Sequence, residues 1–210
     1  YTWSLNTGMV TIAKLLGGGE INSRARNILY NYYHNKFGLG QATGIELAGE
    51  ATGILDKPNF GDGDAVRYSN MIFGQGMDPT MIQVASAFSS VMNGGTYYHP
   101  TIYAGEVSGD GDFTAAKPKA PVEHVISTNT SNQVRKMAIR ARSAFYGAND
   151  KKGYMIGGKT GTSQTIVNGE YTFDQTVGTY LGFGGDTKPR YVIMVQASAP
   201  GKAIAGDMPI

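Results

Sequence analysis

Gly157-Gly158-Lys159-Thr160-Gly161-Thr162-Ser163 sets one cation, two threonine hydroxyls and three glycines inside a segment that otherwise reads as β-strand. On an extended strand, positions i and i+2 face the same side, so Thr160 and Thr162 present their hydroxyls together. Lys159 adds a point charge for an anion, and the glycines let a ligand or a backbone approach closely. The combination reads as the carboxylate-recognising edge of a sheet, with acyl transfer as the chemistry that fits it. Alone, Lys-Thr-Gly is more often a turn leaving a strand than a catalytic site, so the decision rests on its surroundings.

Working outward toward the C-terminus, Tyr154 to Thr165 is the strand carrying this segment, and Asn168-Gly169 is a hairpin signal. Thr176 to Gly184 alternates Val177, Thr179, Leu181 and Phe183 against Gly178, Tyr180, Gly182 and Gly184. The glycine-bearing face is expected to lie under a packed helix. Asp186 to Pro189 reads as a turn, and the apolar run Tyr191 to Ala199 suits a central strand covered on both faces. Toward the N-terminus the periodicity is helical. Thr7 to Leu16 is stopped by Gly17-Gly18-Gly19, and Ser23 to Phe37 carries Ala25, Ile28, Leu29 and Tyr32 on one face. Gly38 to Met77 is dense in Gly, Asp and Pro and reads as long loops. A further helix is expected with Asp78 as N-cap and Pro79 at its first position, running through Met81, Val84, Phe88 and Met92 to Asn93-Gly94-Gly95. Residues 96 to 126 read as short strands around a turn at Gly109-Asp110-Gly111-Asp112, and Ser131 to Tyr146 as a helix that Gly147 stops. Helices first and an antiparallel meander last make the chain α+β. It shows no internal repeat and no linker.

Composition excludes several classes of function. A hydrophobic content of 41% over 210 residues supports a packed core, and a formal charge of +2 is too small to argue for nucleic acid or an anionic membrane. With no cysteine there are no disulfides and no thiolate metal sites, and His34, His99 and His124 lack ligand spacing. No apolar run approaches the ~20 residues of a membrane span, and no signal peptide is visible.

Near the start, Ser4-Leu5-Asn6 precedes the first helix. A hydroxyl can relay a proton, and an amide two residues on both donates and accepts; the same tripeptide also reads as a helix N-cap. Taken with Thr7-Gly8-Met9, with Lys159-Thr160-Gly161-Thr162, with Phe73-Gly74-Gln75-Gly76-Met77 leading through Thr80, Gln83 and Ala85 to Asn93-Gly94-Gly95, and with the strand pair Leu181-Gly182-Phe183 and Pro189-Arg190-Tyr191-Val192, it closely resembles the penicillin-binding proteins. The resemblance is to the transpeptidase domain of the class B kind, covers essentially the whole chain and keeps the family's order.

The resemblance implies the penicillin-binding-protein and serine β-lactamase fold, a helical part plus an antiparallel sheet, incomplete here at both ends. Residues 1–210 are then the C-terminal portion of one transpeptidase domain. It implies Ser4, Asn6 and Lys159 as catalytic residues, with Thr160, Gly161 and Thr162 binding the substrate's terminal carboxylate. It implies no cofactor and no metal. The implied activity is D,D-transpeptidation in peptidoglycan cross-linking through a serine acyl-enzyme, in cell division or the maintenance of cell shape. The implied ligands are the D-Ala-D-Ala stem peptide and β-lactams, with cell-wall synthesis proteins as partners and no nucleic acid. The implied location is extracytoplasmic, with a bacterial membrane anchor outside this chain. Two alternatives stay open: a hydrolase of the D,D-carboxypeptidase or β-lactamase type, and a non-catalytic β-lactam sensor or scaffold. The family's Ser-x-x-Lys nucleophile has no match, since no serine here has a lysine three residues on. Thr11-Ile12-Ala13-Lys14 reads as helix packing and Thr114-Ala115-Ala116-Lys117 as a surface excursion. The 210-residue chain alone is therefore expected to stay unlabelled by benzylpenicillin. Intact mass spectrometry showing one adduct per chain would refute that.

Overall fold

The computed structural model describes residues 1–59, 61, 63–167 and 170–206. The Asn168-Gly169 turn lies outside them. Helices α1 (Asn6–Leu16), α2 (Ser23–Tyr30), α3 (Asp64–Met71), α4 (Met81–Met92) and α5 (Thr128–Tyr146) precede the principal sheet. A small hairpin, β1 (Gly105–Val107) and β2 (Phe113–Ala115), sits between α4 and α5. The principal sheet is antiparallel, ordered β3 (Met155–Val167), β4 (Glu170–Gly185), β5 (Tyr191–Ala197). This is the expected α+β arrangement.

Apolar residues gather in two clusters. Ala13, Ile21, Ala25, Leu29, Tyr68 and Met71 bind α1, α2 and α3 together. Met92, Ala138 and Phe183, with Phe88, Val91 and Ile139 around them, join α4 and α5 to the sheet. Helix α5 lies so close to β3 that a Cβ on Gly157 would sit 3.1 Å from the Ile139 backbone nitrogen and against the Phe183 ring.

Five expectations are corrected. Helix α3 forms inside the stretch read as loops. Its only acidic first-turn residue, Asp64, is buried and faces Arg26 at 3.1 Å, so tertiary pairing rather than a surface cap starts it. The N-cap of α4 is Thr80, not Asp78: Thr80 and Gln83 form a capping box, while Asp78 exchanges two backbone hydrogen bonds with Ile54. The start of α5 is capped by Ser127, ahead of the expected Ser131. The helices pack on the Phe183 face of the sheet; on the glycine-bearing face, the Tyr180 ring lies over Gly182 and the Ala205 carbonyl over Gly178. Among the described residues β5 is an edge strand, with Tyr191 69% and Ile193 60% exposed, not a central strand covered twice.

Gln83 fastens the long Gly38–Met77 connection to α4. Fully buried, its amide nitrogen donates to the Gln41 and Thr52 carbonyls at 2.7 and 2.8 Å. Its Oε1 accepts from the Gly40 and Thr80 amides at 3.3 and 3.2 Å. Removing it leaves two donors and two acceptors without their partner. Gln83→Leu is expected to lower stability by about 3 kcal/mol or more, read as a reduced urea midpoint at unchanged slope.

Candidate active site

Ser4 stands just ahead of α1, and its backbone is left-handed at φ 53°. A residue with a Cβ adopts this conformation at a cost of roughly 1–2 kcal/mol unless something holds it there. Here a tight turn does so, with the Ser4 amide donating to the Tyr1 carbonyl at 3.1 Å. Ser4 does not cap the helix. The N-cap is Leu5, without any side-chain cap bond, so the capping reading of Ser-x-Asn does not hold. Asn6 is the first residue of α1 and is exposed.

Lys159, Thr160 and Thr162 lie on β3, opposite Leu181, Tyr180 and Gly178 of β4. Among the described residues the other edge of β3 is unpaired. The Lys159 ammonium donates to the Thr160 carbonyl at 2.9 Å and approaches Thr160 Oγ1 at 3.4 Å. Among the described residues no carboxylate pairs with it. Burial lowers its pKa, because the charged form loses hydration without gaining a counter-ion.

Ser4 and the Lys-Thr-Gly-Thr strand meet. A cavity of about 340 Å³ is lined by Ser4, Lys159, Thr160 and Thr162 together. Both threonines reach it, as their i, i+2 spacing requires. Asn6 and Gly161 do not line it. Sequence reasoning missed Trp3, Arg142 and Phe145 in its wall; these residues gave no local signal, since α5 presents the last two only through its packing on β3. Arg142 donates to Asp150 at 2.6 Å and to the Tyr180 hydroxyl at 3.0 Å. Burial works against its charge, but these bonds outweigh that and raise its pKa. A second hollow, of about 840 Å³, lies on the uncovered sheet face among Ile156, Tyr191, Ile193 and Val195. It is larger and mostly apolar, and its Asp186 is paired with Arg190 at 3.0 Å, whereas the smaller cavity holds the Lys159 ammonium and the two threonines.

Gln75 ties the segment after α3 to the sheet. Its amide nitrogen of the backbone donates to Asn70 at 3.0 Å, and its side chain reaches Gln164 on β3 at 3.3 Å, two residues beyond Thr162. Among the described residues no cluster of His, Asp or Glu is arranged to hold a metal ion, and no helix is long and apolar enough to cross a membrane.

The sequence profile described as "Penicillin binding protein transpeptidase domain" matches residues 1–208. The chain is 36% identical to Stage V sporulation protein D of Bacillus subtilis, over 94% of this chain and 29% of that protein. It is 32% identical to penicillin-binding protein PbpB of Mycolicibacterium smegmatis, over 97% of this chain and 31% of that one. The chain thus spans about three tenths of the length of these relatives. The crystal structure of penicillin-binding protein 3 from Mycobacterium tuberculosis complexed with aztreonam superposes with a TM-score of 0.80 at 28% identity, covering 98% of this chain and 47% of that one. With the fold, the order of its motifs and nearly its whole length accounted for, the chain belongs to the penicillin-binding protein transpeptidase domain family.

Proposed function

We propose that the full-length protein carrying this chain is a serine D,D-transpeptidase of peptidoglycan cross-linking and a β-lactam target. Residues 1–210 would supply the carboxylate-binding half of its site. The observation that carries this reading is that Ser4 and Lys159, Thr160 and Thr162, from opposite ends of the chain, line one cavity. The nucleophilic serine belongs to a Ser-x-x-Lys segment outside these residues. Its oxygen attacks the carbonyl of the penultimate D-alanine, the terminal D-alanine leaves with a proton, and an amine of a second stem peptide then displaces the serine.

In this reading Ser4 hands the proton to the leaving amine, held toward the cavity by its left-handed backbone. Asn6 holds the substrate amide and the incoming lysine, which requires the start of α1 to turn its exposed side chain to a bound substrate. Lys159 attracts the terminal carboxylate and keeps a neighbouring amine neutral. The Thr160 and Thr162 hydroxyls bind that carboxylate, Gly161 admits it to the strand, and the Thr162 N–H forms half of an oxyanion hole worth roughly 3–4 kcal/mol in the transition state. The M. tuberculosis protein bound to aztreonam supports the β-lactam assignment, and the relatives' names support the cell-wall assignment, with action outside the cytoplasm, a membrane anchor in the full-length protein and cell-wall synthesis partners following from it.

The test is turnover by the full-length protein with a stem peptide ending in D-Ala-D-Ala and a second peptide bearing a free amine. Mass spectrometry is expected to show cross-linked dimer and released D-alanine. Trimmed monomer alone would make the protein a carboxypeptidase, and a stable acyl adduct without product would make it a sensor. The lowered Lys159 pKa adds a second outcome. Acylation by benzylpenicillin is expected to fall on the alkaline side with a midpoint below that of an ordinary lysine, because the ammonium is lost earlier. In Lys159→Arg that alkaline fall should disappear from the lysine range, whatever the absolute rate.

A further inference from the structure

The segment from Gly201 to Gly206 crosses the middle of β3 and β4, over Gly161–Thr162 and Gln175–Gly178, and is tied down by four hydrogen bonds. The Gly201 amide donates to Gln175 Oε1 at 3.0 Å, and the Thr176 amide to the Lys202 carbonyl at 3.1 Å. Thr176 Oγ1 donates to the Ile204 carbonyl at 2.8 Å, and the Gly206 amide donates to Thr162 Oγ1 at 2.9 Å. The crossing is backbone against backbone. A Cβ on Gly206 would overlap the Gly161 carbonyl, and one on Gly178 would overlap the Ala205 carbonyl. Thr176 and Gly206 are both buried.

The bond to Thr162 has a chemical consequence. A hydroxyl has one proton to give and two lone pairs to receive with, whereas a backbone N–H only gives. Gly206 therefore occupies a lone pair of Thr162 Oγ1 and leaves its proton for another partner. Thr160 is treated the same way, since its Oγ1 faces the Lys159 ammonium, which also only donates. Both hydroxyls line the cavity, and a carboxylate only accepts.

We propose that Gly206, held in place by Thr176, is a positioning residue that presets the Thr162 hydroxyl as a donor to the substrate carboxylate. The proposal rests on the transpeptidase reading for its ligand. The strap itself stands on the hydrogen bonds above.

Thr176→Val tests it in the full-length protein, because it removes the bond to Ile204 without touching the cavity wall. Hydrogen exchange at the Gly206 amide is expected to be slow in the wild type and at least about tenfold faster in both Thr176→Val and Thr162→Val. Acylation by benzylpenicillin should fall about tenfold in Thr176→Val, as the loss of one hydrogen bond to a charged group implies, while acylation by the penicillin methyl ester changes little. In a Thr162→Val background, Thr176→Val should have no further effect, because the strap acts through that hydroxyl. Equal losses for acid and ester, or independent losses in the double variant, would make the strap merely structural and overturn the proposal. An unprotected Gly206 amide in the wild type would overturn the strap itself. A wild type that penicillin does not acylate would instead refute the transpeptidase reading and the positioning role together, with the exchange data still deciding whether the strap exists.

Discussion

Among the described residues strand β3 is pinned on one side and unpaired on the other, and the geometry around it follows from that constraint. Its pairing with β4 runs from Met155 to Val167, interrupted by one irregularity between Gln164 and Thr165. Helix α5 presses on it at Gly157, where no side chain larger than hydrogen fits against Ile139 and Phe183. Fixed from the sheet and from the helix, the strand keeps its outer edge unpaired among the described residues. Ligand sites on edge strands work this way because the backbone donors there are not already used by a neighbour.

The two apolar clusters divide the labour. The α1–α2–α3 cluster carries Ser4 at the mouth of α1, and the α4–α5–sheet cluster carries Lys159 and the threonines. The cavity is lined from both parts, by Thr2, Trp3 and Ser4 ahead of α1 and by residues of α5, β3 and β4, so its polar groups come from separate elements rather than from one loop. Gln83 and the Gln75–Gln164 contact are the polar stitches across the long connections between them.

Much of this was legible in the residues themselves. The Lys-Thr-Gly-Thr strand announces itself because its chemistry is local: a pleat with period two and residues of defined type. The helices α1, α4 and α5 are legible from apolar spacing, although both of the latter begin at caps, Thr80 and Ser127, that compete with equally plausible neighbours. Helix α3 was not legible, since its start depends on Arg26, far away in sequence, reaching a buried Asp64. The roles of Arg142 and Gly206 in the cavity wall were hidden for the same reason. Arg142 matters through Asp150 and Tyr180, and Gly206 through Thr162, and no spacing rule links these partners. The exposed face of β5 was misread because a continuous apolar run reports what a strand can bury, not whether the described residues bury it.

The turn at Ser4 places stability and chemistry in opposition at one residue. Glycine would sit in that left-handed backbone without strain, and would be the replacement favoured by any search for a more stable chain. It would also delete the hydroxyl of a residue that lines the cavity together with Lys159. Engineering for thermal resilience alone would therefore drift toward stripping a polar group from the cavity wall, so backbone ease and the chemistry of that wall pull in opposite directions at this residue.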